Sequence, residues 1–129
     1  MLKDLQQEFT QIVDHKILLI LLLSRSDCHF CHEVRINYLS PLVRNFSNKK
    51  LVIRELQTDV VNSLIGLDGK QISVNELLRQ LKVNFFPTVV FLGANLEMLA
   101  EPLIGLNNSG FYGAYLDQRI TIAMQSFRI

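Results

Sequence analysis

KILLILLLSRSDCHFCH, from Lys16 to His32, is the stretch from which the rest of the chain can be read. Seven apolar residues, Ile17 to Leu23, run into four polar ones, Ser24 to Asp27, and then into Cys28-His29-Phe30-Cys31. A short apolar run bounded by polar residues has the length of a central strand covered on both faces. It falls far short of the roughly twenty residues of a membrane helix. Leucine is a mediocre strand former, so a buried helical turn is the other reading; length favours the strand. The two cysteines of the motif are the only two in the chain. A buried strand that feeds a Cys-x-x-C at the start of a helix builds a reactive dithiol. Unpaired N–H groups and the positive end of the helix dipole there favour thiolate over thiol.

Before this stretch, Leu2, Leu5, Phe9, Ile12 and Val13 recur at helical spacing and predict an amphipathic helix over 2–14. After it, Asp27 is placed to cap a helix over 29–39. That helix should stop at Ser40-Pro41, because proline disfavours helix in the residue before it. Leu42, Val43 and Phe46 predict a second short helix. Leu51 to Leu56 reads as a second strand, with Leu51, Ile53 and Glu55 on one face. Residues 59–72 are less regular, with a turn at Asp68-Gly69. Ser73 and Glu76 have capping-box spacing and open a helix through Leu77, Leu78 and Leu81. Phe86 to Leu92 predicts a third strand, Gly93-Ala94-Asn95 a hairpin turn, and 97–104 the return strand. Pro102 places that strand at the sheet edge. Asn108 or Ser109 caps a last helix with the stripe Phe111, Tyr115, Leu116, Ile120 and Met124.

At 129 residues and a net charge of +1, the chain reads as a single domain over 1–129, an N-terminal helix in 1–15 and a core in 16–126. Its basic residues are scattered, which argues against nucleic acid. The apolar run lacks the position and cleavage site of a signal peptide, and nothing is long enough to insert in a membrane. Both cysteines lie in one motif, so their number does not fix the redox compartment. The element order gives an α/β fold with a central mixed β-sheet flanked by helices on both faces.

With Cys28-His29-Phe30-Cys31 after a strand, Pro87 opening the third strand, and the hairpin, Gly105 and closing helix, the chain resembles the thioredoxin superfamily. The likeness covers roughly 16–126. In its Pro41, its Asp68-Gly69-Lys70 loop and its Leu103-Ile104-Gly105-Leu106 segment it is similar to bacterial extracytoplasmic thioredoxin-like proteins, such as the thioredoxins of sulfur-oxidation systems. The resemblance implies the thioredoxin fold and a thiol–disulfide oxidoreductase in the periplasm, with the cytoplasm as alternative. Cys28 is then the nucleophile and Cys31 the resolving thiol. Pro87 corresponds to the family's cis-proline beside the substrate, with Phe86 and Phe30 as an aromatic rim or, alternatively, ordinary core residues. His29, if protonated, would stabilise the thiolate.

The sequence departs from thioredoxins proper. C-H-F-C stands for C-G-P-C, Asp27 for a tryptophan, Leu22 for a buried aspartate and Glu55 for the facing lysine. Glu55 is therefore a candidate proton acceptor for Cys31 if burial raises its pKa, the alternative being a solvated or paired strand glutamate.

Cys28 to His32 also spells the c-type haem motif C-x-x-C-H, with Met98 or Met124 as second axial ligand. Zinc on Cys28, Cys31 and His29 or His32 would lack a fourth ligand pair. A non-catalytic thioredoxin-fold binding module is a further reading, and a disulfide oxidase or isomerase another. The favoured expectation is a monomeric reductase with no cofactor and no metal, since the dithiol carries two electrons. Its expected partners are disulfide-containing or dithiol client proteins and a thiol electron donor, of membrane or thioredoxin type.

Overall fold

A computed structural model describes residues 2–8, 17–45, 51–106 and 110–126. The apolar run forms β1 (Leu18–Ser24), every residue of it buried. Parallel to it lies β2 (Leu51–Gln57), and antiparallel on its other side lies β5 (Thr88–Leu92), which pairs in turn with β6 (Met98–Ile104). The sheet order is β2-β1-β5-β6, so β6 with Pro102 is an edge strand. A separate hairpin, β3 (Ser63–Ile65) with β4 (Gln71–Ser73), closes through Gly69 at φ +80°. The Asp68-Gly69 turn is where the sequence places it, but the hairpin around it is not among the expected elements.

Alternation along β1 divides the core in two. Leu18, Ile20 and Leu22 face the helix of the cysteine motif and the last helix, meeting Val34, Leu39, Leu116 and Ile120. Leu19, Leu21 and Leu23 face the opposite side, where Leu2 and Leu5 join Leu77 and Leu81 of α3 (Val74–Leu81). Residues 5–8 are helical; residues 2–4, expected in the same helix, are not, the Leu2 N–H donating to the Glu55 carbonyl at 2.9 Å and Asp4 bridging to Ile65, and residues 9–14 lie outside the described residues. Ser73 caps α3, its hydroxyl accepting from the Glu76 N–H at 3.1 Å. Glu76 completes no box; its carboxylate pairs with Arg79 instead.

The helix after the dithiol does not stop at Ser40-Pro41. It runs as α1 (His29–Glu33), a π-helical segment Val34–Leu39 and α2 (Ser40–Asn45). The Ser40 N–H reaches five residues back to the Arg35 carbonyl, and Ser40 keeps helical angles. In α-helical register the Pro41 ring would press on a carbonyl four residues before it. The wider π turn ahead of the proline lets the helix continue.

The last helix, α4 (Tyr112–Gln125), buries Tyr112, Leu116, Ile120 and Ala123. The expected stripe is thus partly displaced: Phe111 and Tyr115 are exposed, and the expected caps Asn108 and Ser109 lie outside the described residues. Tyr112 packs on Tyr38 of the π segment with ring centroids 4.7 Å apart. Its hydroxyl is buried without a hydrogen-bond partner among the described residues, and burial pushes its pKa up. Removing such a hydroxyl relieves a desolvation penalty, so Tyr112→Phe should raise stability by about 1 kcal/mol in urea unfolding. A loss of stability would mean that the hydroxyl is satisfied in solution.

Candidate active site at the dithiol

The C-terminal ends of β1, β2 and β6 and the N-terminal end of β5 share one end of the sheet. The dithiol is built there, on the loop that leaves β1. Cys28, not Asp27, is the N-cap of α1. Its Sγ accepts the Cys31 N–H at 3.1 Å, and Cys31 is joined to it as a disulfide with Cα atoms 5.2 Å apart. Cys28 is partly exposed and Cys31 fully buried. An amide aimed at the first sulfur from the first turn of a helix is a donor that strengthens when that sulfur carries charge. Asp27 instead sits on the surface and pairs with Arg25 at 3.2 Å.

The turn after β2 holds this loop in place. Thr58 donates both its N–H, at 2.8 Å, and its hydroxyl, at 3.1 Å, to the Ser24 carbonyl. Asp59 accepts from the Ser26 N–H at 2.9 Å and from the Ser26 hydroxyl at 2.5 Å. These hydrogen bonds, led by the Ser26 hydroxyl, hold the Asp59 carboxyl below its ordinary range. Sequence reasoning missed Asp59; its only signal is a carboxylate at a strand's end.

Glu55 faces Leu22 across the β1–β2 ladder, as the parallel register requires. It is not a free base. Arg35 grips it with two nitrogens, at 2.6 and 2.5 Å, and the buried Ser24 hydroxyl donates to it at 2.6 Å. Burial pushes the Glu55 carboxyl up, but the Arg35 and Ser24 hydrogen bonds outweigh it, and the group sits below the usual carboxylate range. The same bond raises Arg35. The expected upward shift is therefore corrected, and the paired-glutamate alternative describes the residue. Leu22, Leu39, Ile53 and the Arg35–Glu55 pair line a pocket of about 270 Å³ beside the helix.

His29 is largely exposed and its Nε2 lies 3.1 Å from Glu33 one turn along. His32 Nδ1 lies 3.3 Å from Arg35 Nη1. Among the described residues no group of three or more His, Cys, Asp or Glu is placed to hold a metal ion. No described helix is long and apolar enough to cross a membrane.

The Phe86–Pro87 peptide bond is cis. Pro87 is buried, its carbonyl accepting from the Gly105 N–H at 2.7 Å. The Leu23–Thr88 pairing brings this segment to the end of the sheet that carries the dithiol. Phe30 is 47% exposed, whereas Phe86 packs partly buried against the core. The exposed ring next to Pro87 is that of Phe85, at 55%.

No family model matches the chain, and no curated protein matches it in sequence. Its backbone nevertheless superposes on thioredoxins. The germline-specific thioredoxin Deadhead of Drosophila melanogaster matches with a TM-score of 0.61 at 20% identity, covering 94% of this chain and 97% of its own. A poplar thioredoxin h gives 0.62 at 16% identity, over 89% and 83% of the two chains. The oxidised mitochondrial thioredoxin 3 of Saccharomyces cerevisiae gives 0.59 at 16%, over 93% of each. The chain has the thioredoxin fold.

A carboxylate whose folded pKa is depressed adds stability above its unfolded value, and that stability is lost as pH falls through the folded pKa. For Glu55 the ordinary value is 4.5. Glu55→Gln should cost about 2 kcal/mol at pH 7 and much less at pH 2, measured by urea unfolding at both. An equal cost at both pH values would show that the Arg35 pair contributes nothing through charge.

Proposed function

We propose that the protein is a thiol–disulfide oxidoreductase that reduces disulfides in partner proteins. The observation that carries this is the asymmetry of the pair. Cys28 is partly exposed at a helix N-terminus and faces the Cys31 amide, while Cys31 is buried one turn in. The exposed thiol attacks and the buried one waits.

In the reduced protein the Cys28 thiolate attacks one sulfur of a client disulfide. That S–S bond breaks, a Cys28–client bond forms, and the leaving client sulfur takes a proton. Cys31, deprotonated, then attacks Cys28 Sγ and expels the second client sulfur, which is also protonated. The protein is left with the Cys28–Cys31 disulfide and the client with two thiols, a balanced two-electron transfer. A dithiol protein, membrane-bound or of thioredoxin type, returns the electrons. No dissociable cofactor enters. Pro87 and the backbone of Phe86, outside the β5 ladder, lie alongside the client. Reduction as the direction, and a place outside the cytoplasm, are supported by the likeness of the Pro41, Asp68-Gly69-Lys70 and Leu103–Leu106 segments to extracytoplasmic thioredoxin-like proteins.

Equilibration with glutathione, followed by mass spectrometry of the pair, tests the direction. A reduction potential near about −270 mV is expected of a reductase, and one near about −120 mV would make the protein an oxidant. Cys31→Ser should accumulate a mixed disulfide through Cys28, and Cys28→Ser should form none. If the unaltered pair forms no intramolecular disulfide at any poise, the redox reading gives way to a binding module.

A further inference from the structure

Under the oxidoreductase reading, on which the role assigned here to Asp59 rests, the Cys28 thiolate is the attacking group and its sulfur must be held against the Cys31 N–H. Cys28 closes a tight turn. Its N–H donates to the Arg25 carbonyl at 3.3 Å, and Ser26 and Asp27 form the corners. Its carbonyl accepts the His32 N–H at 3.2 Å and its sulfur accepts the Cys31 N–H at 3.1 Å. The last residue of the turn is thus the cap of α1, and the turn sets where Sγ points.

The turn is tied to the sheet from outside. Arg25 and Asp27 pair with each other at 3.2 Å, a contact within the turn that cannot fix it to anything else. Asp59, thirty-three residues beyond Ser26, accepts both the Ser26 N–H, at 2.9 Å, and its hydroxyl, at 2.5 Å. The segment that carries Asp59 is closed in its turn, the Val60 and Val61 N–H groups donating to the Gln57 carbonyl at 3.2 and 3.0 Å. No cysteine atom takes part in these contacts, so the clamp does not depend on the disulfide.

We propose that Asp59 is the positioning residue of the attacking thiol. By holding Ser26 it fixes the turn that keeps Cys28 Sγ on the Cys31 N–H, the donor that strengthens when the sulfur is charged. As a bare charge the same carboxylate works the other way, because a negative group opposes a thiolate. The other titratable groups of the loop and of α1 are paired, Asp27 with Arg25 and His29 with Glu33 at 3.1 Å. Loss of Asp59 therefore has opposite signs under positioning and under charge alone.

The test follows alkylation of the reduced full chain by iodoacetamide over a range of pH. The Cys28 thiolate displaces iodide, and mass mapping reads the product at Cys28. Asp59→Ala should raise the midpoint of this profile by about one pH unit, making alkylation about tenfold slower below both midpoints, as expected when a charge-assisted hydrogen bond at the sulfur is weakened. Asp59→Asn keeps an acceptor oxygen without the charge, and its midpoint should stay at or below that of the unaltered protein. An unchanged or lowered midpoint in Asp59→Ala, or an equal rise in Asp59→Asn, would overturn the assignment. If Asp59→Ala does not fold, Ser26→Ala, which removes the hydroxyl donor alone, should give a smaller rise, and no rise there would overturn it equally. Hydroxyethyl disulfide tests the oxidoreductase reading separately. If the unaltered protein does not reduce it, that reading falls, while the alkylation profile still decides whether Asp59 positions the sulfur. If it does, Asp59→Ala should reduce it more slowly at the same low pH, and an equal rate would overturn the role in exchange.

Discussion

Burial of β1 on both faces is the constraint from which the rest of the structure follows. All seven residues, Leu18 to Ser24, are shielded from water, and each buried leucine or isoleucine contributes roughly 1.5–3 kcal/mol relative to an exposed one. Such a strand needs a layer on each side; the π-helical segment, α2 and α4 supply one, while α3 and the N-terminal turn supply the other. It also leaves a problem of register. A one-residue slip normally moves apolar side chains to the wet face and is penalised, but a run as uniform as Ile17 to Leu23 is apolar on either face. Polar partners at its C-terminal end therefore carry the register. Ser24 donates to Glu55 and accepts twice from Thr58. A slip of one residue would break all three contacts. The group that fixes the strand is thus four residues from the first cysteine, which makes core register and site geometry one constraint.

The Arg35–Glu55 pair extends this logic to the helix. A carboxylate under the dithiol can serve a proton-transfer role only if its environment keeps its pKa near the working pH. Here a bidentate guanidinium and a buried hydroxyl hold it ionised. A pair so bound is costly to break and contributes position rather than proton exchange. It joins β2 to the π segment at Arg35, the residue whose carbonyl also receives the Ser40 N–H. The same residue thus anchors the helix to the sheet and opens the turn that lets it pass Pro41.

What the sequence showed depends on how local the deciding interaction is. The strand, the motif, the hairpin and the edge position of β6 follow from runs and from single residues such as Pro102, whose missing N–H is felt wherever it stands. The π turn is also local, but the rule that proline ends a helix competes with a rarer geometry, and the rarer one won. Cys28, not Asp27, stands immediately before the first helical residue and caps it with its sulfur, while Asp27 pairs with Arg25 on the surface. Asp59 and Arg35 were invisible for a different reason: each acts on residues twenty or more positions away in the chain. Sequence spacing carries no information about such pairs. In α4, apolar residues on several faces blurred the stripe, and packing against Tyr38 chose Tyr112 over Phe111.

Phe85 and Phe86 show why even adjacent identical residues could not be told apart. Both precede Pro87 and either could be the core residue. The Thr88 hydroxyl binds the Phe85 carbonyl, and the Phe85 ring lies over Gly105, whose φ of +75° favours glycine. Gly105 lies eighteen residues beyond Pro87 and reaches it only because β5 and β6 pair with Thr88 opposite Ile104. The identity of the exposed ring is therefore a property of the hairpin register. Likeness at 16–20% identity reaches the backbone fold alone. It does not transmit the side chains that the register exposes, nor the groups around the cysteines. In a chain with C-H-F-C, Leu22 and a pinned Glu55, redox poise and client choice follow from this chain's own side chains.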